Sequence, residues 1–266
     1  MIQMKSSRAV IRTGVNAAEA MHIFPRQEKE TGVAYAYRIL EYNILMLIIP
    51  PGAWVRESCI AKRLGLSKTP VHQAVGLLHD HMLVDVKAQS ATHVSYIDLN
   101  ALRQGLFLRL TIEPAVILRV IGTMPTEDLT RLATNIKGQR EAIANKPDPY
   151  KFIHLDDEFH HIIYQAANKE LVWESIRKGT THFDRVRYMG LIFGYEDPDI
   201  SEHEELYKML AIGHDISERT IRDFIAHHLY HYTAYFDRMT NSHSDYFVLN
   251  GLSNGTPAIP LSLATE

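Results

Sequence analysis

The segment 54–97 constrains this chain more than any other, because its apolar period changes from helical to alternating within one short stretch. Ile60, Ala61 and Leu64 recur at helical spacing, Gly65-Leu66-Ser67 interrupts them, and Val71, Ala74, Val75 and Leu78 resume the stripe. Gly65 supplies the backbone freedom that a tight helix-helix turn requires. Thr69 is expected to cap the second helix, with Pro70 following where a missing N–H costs nothing. Residues 83–86 and 92–96 then read as two strands around a polar tip at 88–91. Helix, turn, helix and hairpin in that order describe a winged helix-turn-helix, whose second helix docks in the DNA major groove. This assigns DNA contacts to Ser67, Lys68, Thr69, His72 and Gln73 on the second helix, and to Gln89, Ser90 and Thr92 on the wing. The competing reading of the same pattern is a small α/β subdomain that touches no nucleic acid.

Charge would not have identified a DNA binder. Residues 34–97 carry six Lys/Arg against four Asp/Glu, whereas residues 98–266 carry seventeen against twenty-four. Only the front of the chain suits a polyanion, and its excess is modest. The 266 residues leave room for two domains, and a 46% hydrophobic content is enough to fill their cores. The single cysteine, Cys59, excludes an internal disulfide and fits a reducing cytoplasm. Residues 44–49 form an apolar run far shorter than the roughly 18 residues of a membrane span, so no membrane association is expected. Lys5, Arg8 and Arg12 are followed by no apolar core, which argues against a signal peptide.

Along the chain, residues 1–33 lack a sustained period and read as a flexible leader with a helical piece at 17–23. The winged domain spans 34–97. Beyond it helical patterns dominate, at 99–120, 128–144, 150–167, 171–191, 203–212 and 217–240, separated by Pro, Gly and Asn signals. Helices of this length joined by short loops predict an antiparallel all-α bundle over 98–240. The tail, 241–266, reads as loose apart from a strand at 246–249. The expected fold is thus mainly α, a winged helix-turn-helix followed by a helical bundle.

Within the bundle, Asp156 and His160 stand four apart and share one helix face. His203 opens a later helix, and His228 falls in the last long one. One carboxylate and three imidazoles converging there would suit a borderline divalent ion such as zinc or nickel. Taken alone the pattern is weak, since histidines on apolar helix faces are common core residues. Arg109 and Arg187 are candidates to grip a carboxylate through paired donors, or equally to form salt bridges with Glu113 and Asp184. Tyr164 and Asn168 are further candidates for the same cavity, or packing and capping residues.

Residues 35–96 resemble the DNA-binding domain of GntR-family transcription regulators. The features that match are Pro51-Gly52, Glu57, Ala61, Leu64-Gly65, Ser67-Lys68-Thr69-Pro70-Val71, Leu77-Leu78 and Leu83-Val84, with a wing from Gln89 to Ser95. Where the family carries arginine this chain has Lys68 and His72, and where it carries glutamate this chain has Gln73. Ser90 and Ala91 replace the usual basic residue and glycine of the wing. Lysine and histidine lack the planar two-pronged donor of arginine, so the resemblance implies DNA binding of altered strength or specificity.

Residues 98–236 resemble the FCD ligand-binding domain of the FadR-like subfamily. Leu99, Phe107-Leu108-Arg109 and Ile112-Glu113 match its first helix. Leu155-Asp156-Asp157-Glu158-Phe159-His160, Ala166-Ala167-Asn168 and Leu171 match its central signature, and Asp184-Arg185-Val186-Arg187 and Glu202-His203 follow in order. The resemblance implies a divalent metal held by Asp156, His160, His203 and His228, with His227 the alternative for the last ligand. It implies a homodimer on a palindromic double-stranded operator, probed by a small carboxylate effector such as a sugar or hydroxy acid. The expected function is that of a cytoplasmic, metabolite-responsive repressor, not an enzyme. Two other readings remain. One is a winged-helix interaction module without DNA affinity. The other is an all-α metal-dependent hydrolase built on His214-Asp215.

Overall fold

A computed structural model describes residues 17–86, 92–144, 147–213 and 215–248. The chain forms two compact units that divide between Tyr96 and Ile97. In the first, α1 (Ala17–Ala20) and α2 (Gly32–Leu45) precede the helix pair α3 (Glu57–Leu64) and α4 (Lys68–Asp80). Strands β1 (Val84–Asp85) and β2 (His93–Val94) pair antiparallel, Val84 opposite Val94, and Trp54 bridges to His93 from the outer side. Ile39, Leu40, Ile60, Val71, Ala74, Leu78, Val84 and Val94 are buried together, which is the apolar stripe read from the sequence. Gly65 closes α3 at φ +65°, a left-handed conformation costly for other residues.

Two expectations need correction in this unit. Helix α4 begins two residues earlier than Thr69 would allow as its cap: Ser67 is the N-cap, and Pro70 is the third helical residue. Pro70 is tolerated there because the first four N–H groups of a helix lack internal partners. Part of the leader, at Ala17, Ala18 and Met21, is also packed. Ala17, Ala18 and Met21 are buried, and the Ala17 N–H donates to Trp54 O at 3.1 Å. Arg63 Nε donates to Ala18 O, and Asn43 brackets His22 by accepting its N–H and donating to its carbonyl. These anchors come from distant side chains, so a local periodicity reading does not register them.

The second unit opens with β3 (Ile97–Asp98) and α5 (Leu99–Ile117), whose N-terminal N–H groups donate to the Asp98 side chain. There follow α6 (Thr126–Ile143), α7 (Pro149–Ala166), α8 (Glu170–Gly179), α9 (Thr181–Ile192), α10 (Ser201–Ile212), α11 (Glu218–Tyr230) and α12 (Thr233–Ser242). A single 3-10 turn leads into β4 (Phe247–Val248), which pairs in parallel with β3. Helix α5 runs through the bundle against α7, α8, α9 and α11. The strand expected at 246–249 forms at Phe247–Val248, while the start of the tail, expected to be loose, continues α12 to Ser242 and then forms the 3-10 turn. The stretches 171–191 and 217–240, each expected as one helix, are each broken in two. The first breaks at Gly179-Thr180, where weak helix formers meet the backbone of α5: a Cβ on Gly105 would lie 2.5 Å from Gly179 O. The second breaks at His231-Tyr232, again among weak formers.

His182, on α9, accepts the Asp98 N–H on Nδ1 at 3.2 Å and so ties the start of α5 to the bundle. Burial lowers its pKa from 6.5 to about 4, with Arg185 contributing and Asp98 opposing. The unfolded chain therefore binds this proton more readily than the folded one. Stability should be complete above pH 6.5 and fall as pH drops towards 4, by about 3 kcal/mol for a shift of this size. Thermal melts in excess chelator across that range should show this loss on top of that from the other buried histidines, and His182→Gln should reduce the total by about 3 kcal/mol. An equally steep loss in the variant would assign the pH dependence elsewhere.

Candidate metal centre and nucleic-acid interface

Helix α7 starts with Asp148 as N-cap and Pro149 in its first turn, which sets the face carrying Asp156 and His160. Both are buried, as is His203 in the first turn of α10, while His228 on α11 is largely covered. One ligand atom from each of these four residues lies within 4.8 Å of all the others. His160 Nε2 stands 3.3 Å from His228 Nε2, and His203 Nε2 stands 3.4 Å from Asp156 Oδ1. The ring of Phe159 stacks on His203 at 4.4 Å and holds it in plane. His227, the alternative to His228, is exposed on the neighbouring helix position and outside this group.

The proton positions in this cluster can be worked out from its hydrogen bonds. Asn135 Nδ2 donates to the Glu158 carboxylate, which only accepts, and Gln139 Nε2 donates to Asn135 Oδ1 at 2.7 Å. The remaining oxygen of Gln139, Oε1, therefore accepts from His203 Nδ1, also at 2.7 Å. His203 Nε2 is left as a lone pair, buried and without a hydrogen-bond partner among the described residues. On the other side, His228 Nδ1 donates to Glu202 Oε2 at 2.6 Å, which turns its Nε2 inward, towards His160 Nε2. Burial alone would raise the Glu202 pKa, but the bonds from His228 and His227 lower it to about 2, so it accepts throughout the neutral range. The His203 lone pair thus faces a carboxylate oxygen of Asp156 at 3.4 Å, an arrangement that repels unless a cation lies between them. The donor set of three imidazoles and one carboxylate fits zinc or nickel.

The protonation equilibria agree with such a site. Burial pushes the His203 imidazole down to about 4, against the pull of Asp156. Burial, reinforced by Arg109, holds His160 well below its usual value. Burial would raise Asp156, but Arg187 and the three histidines outweigh it and keep the carboxyl below the ordinary range. Neutral rings beside an ionised carboxylate are the ligating forms.

Beside this cluster lies a cavity of about 70 Å³, reached by Arg109, Arg187, Asp156, Glu202, His228 and His231. Arg109 donates to Glu113 at 2.6 Å, and Arg187 pairs with Asp156 at 2.6 Å and stands 3.6 Å from Asp184. The two guanidiniums lie over the ring of Phe183, at 5.5 and 6.0 Å. Each arginine therefore forms the salt bridges weighed for it and also lines the cavity. Tyr164 is buried, and its hydroxyl has no hydrogen-bond partner among the described residues, but it does not line the cavity. Asn168 is exposed and sits at φ +55° where α7 ends, a helix-terminating position away from the cavity. Gln139 and Glu202 were not singled out from sequence. Gln139 lies on another helix with no local signal, while Glu202 adjoins His203 and was visible only as part of a matched pair.

In the first unit, Ser67, Lys68, Thr69, His72 and Gln73 are exposed along the first two turns of α4, with Val71, Ala74 and Val75 buried behind them. The side chain of His72 is 77% exposed but leans on Glu57 at the start of α3, Nδ1 to Oε1 3.0 Å. Thr92 is half-buried at the foot of the wing. Gln89 and Ser90 lie outside the described residues, as does His214.

Comparison with known proteins bears on both units. Residues 105–230 match the FCD domain. The chain is 32% identical over 177 residues to the HTH-type transcriptional repressor RspR of Escherichia coli (strain K12), covering 65% of this chain and 76% of that protein. It is 24% identical over 137 residues to the HTH-type transcriptional regulator YdhC of Bacillus subtilis, covering 50% and 61%. Among solved structures, E. coli McbR/YncC superposes with a TM-score of 0.62 at 17% identity, over 80% of this chain and 99% of that one. A putative transcriptional regulator GntR from Rhodococcus sp. RHA1 does so at 0.61 and 20%, over 80% and 98%.

Proposed function

Because the chain belongs to the GntR family of transcription regulators and carries an FCD effector domain, we propose that it is a cytoplasmic repressor that releases its operator on sensing a small hydroxy acid. A homodimer would set two α4 helices into successive major grooves of a palindromic site, with Lys68, Thr69, His72 and Gln73 facing the DNA and the wing, including Gln89, Ser90 and Thr92, beside it. Exposed Phe107 and Leu171, flanking an apolar groove formed by Leu108, Ile112 and Ile176, offer a face for the second copy. The repressor role follows the name of the 32%-identical relative.

One observation carries the sensing part: the unpartnered His203 Nε2 gathered with ligand atoms of Asp156, His160 and His228, beside a cavity lined by two arginines. Asp156, His160, His203 and His228 would hold a divalent metal, zinc or nickel. When bound, the metal supplies a cationic point on which a carboxylate and its neighbouring hydroxyl oxygen can ligate. Arg109 and Arg187 would hold the remaining carboxylate oxygen through their free donor edges. Drug-sized ligands occupy cavities of roughly 300–1,000 Å³. The 70 Å³ here favours a short hydroxy acid over the larger sugar acids.

The deciding experiment is a fluorescence-anisotropy titration on the duplex upstream of the protein's own gene, at fixed salt. The expected result is affinity well above that for a random duplex, lost on adding lactate or a similar short hydroxy acid. Chelator should abolish the response to the acid while leaving operator binding in place. Affinity that never exceeds the random-duplex value would replace this reading with that of an interaction module. The hydrolase alternative has less behind it, since Asp215 is exposed in a connecting turn.

A further inference from the structure

On the outer side of Glu202 lies a second group of ligating atoms that the buried centre does not use. His227 and His231 stand one helical turn apart at the end of α11, their ring centroids 5.1 Å from each other. The backbone of His231 keeps helical angles, so the two side chains share one face. Both reach the same carboxylate oxygen: Glu202 Oε1 is 2.8 Å from His227 Nδ1 and 3.1 Å from His231 Nε2. These three ligand atoms lie within 4.8 Å of one another. Around a tetrahedral ion with bonds of about 2.0 Å, ligand atoms sit roughly 3.3 Å apart, close to the distances found here.

We propose that Glu202, His227 and His231 form a second divalent transition-metal site, open to solvent and joined to the buried centre through a shared carboxylate. Two neutral imidazoles and one carboxylate select a borderline cation such as zinc over calcium or magnesium, which prefer all-oxygen shells. His227 is 73% exposed and His231 39%, so binding there requires little desolvation and leaves remaining positions for water. Glu196 Oε1 faces His231 Nδ1 at 3.9 Å and accepts from Tyr235 Oη on its other oxygen at 2.6 Å, placing a carboxylate behind the outer ring of ligands. Glu202 and His231 also line the cavity that leads to Asp156. The outer site thus lies on the entry path to the inner one. Because Glu202 Oε2 holds His228 Nδ1 at 2.6 Å, an ion on Oε1 draws charge from the carboxylate that orients an inner ligand. The outer site is assembled from its own side chains and does not require the inner site to bind metal.

The test is a zinc titration of the metal-stripped full chain by isothermal calorimetry, with bound metal counted by mass spectrometry. Wild type should take up two ions per chain, the second at least tenfold more weakly. His227→Gln combined with His231→Gln should take up one ion with the tight affinity kept, and His160→Ala should take up one ion with the weak affinity kept. Unchanged melting of the double variant in chelator would confirm that it is folded. Two ions with unaltered affinities in the double variant would overturn the proposal, as would a single wild-type ion that disappears with His160→Ala. A single wild-type ion that survives His160→Ala and disappears in the double variant would support the outer site and sink the reading of the inner one.

Discussion

Replacing His203 with alanine is expected to cost the inner centre at least a hundredfold in zinc or nickel affinity, enough for the protein to lose its metal to a chelator that wild type withstands. The expectation rests on the polarity of the chain of hydrogen bonds from Glu158 through Asn135 and Gln139 to His203 Nδ1. That chain fixes the tautomer, so Nε2 is committed as an acceptor with no donor among the described residues to satisfy it. Partners that orient a ligand typically govern 10–100-fold in affinity, and the ligand itself more. Gln139→Leu should therefore fall between wild type and His203→Ala. Bound metal also stabilises the fold by mass action, about 4 kcal/mol at a thousandfold excess over the dissociation constant. Metal should accordingly raise the melting temperature of wild type, and that of His203→Ala only by the smaller amount the outer site supplies. Full metal retention and an intact melting shift in His203→Ala would remove this residue from the centre.

Reversing the charge of Lys68 should produce the largest loss of DNA affinity available from one substitution on α4. Lys68 is the first helical residue and is exposed, so its ammonium can reach phosphate or guanine while the start of the helix faces the DNA. Each phosphate contact contributes about one to the slope of log affinity against log salt. Lys68→Ala should weaken operator binding about tenfold and flatten that slope by about one, and Lys68→Glu should weaken it further. His72 is constrained differently, because Glu57 accepts from it at 3.0 Å. His72→Arg adds a permanent charge with a planar donor edge and should tighten binding. Glu57→Gln, by removing the competing carboxylate, should act in the same direction. A Lys68→Glu variant that binds the operator as wild type does would show that α4 is not the reading helix.

The winged unit was legible in the sequence because its signals are local. The stripes of α3 and α4, the Gly65 turn and the strands around the wing each declare themselves within a few residues. The helix positions of the second unit were legible for the same reason, and Asp156 with His160 was visible as a four-residue spacing on one face. The bundle could not show from spacing alone that His203 and His228 meet that pair, since they arrive from other helices; the family resemblance supplied them. What stayed hidden depends on contacts between distant segments. The breaks at Thr180 and His231 reflect tertiary packing laid over weak helix formers. The packing of residues from Ala17 depends on Asn43, Trp54 and Arg63. The hold of Gln139 on His203 and of Glu57 on His72 spans 64 and 15 positions. Glu202 was matched but given no role, because a residue bridging two clusters leaves no periodic trace.

The pairing of β3 with β4 brings the first strand of the second unit against the last, Ile97 opposite Phe247 and Asp98 opposite Val248. On the ribosome this imposes an order. The reading head is complete once the chain has emerged to Tyr96, and it can fold while the remainder is still being synthesised. The second unit cannot close its first strand until Phe247 and Val248 have left the exit tunnel, about 150 residues after Ile97 and Asp98. For an interval during each round of synthesis the cell therefore holds a nascent protein equipped to recognise DNA before it can respond to any signal.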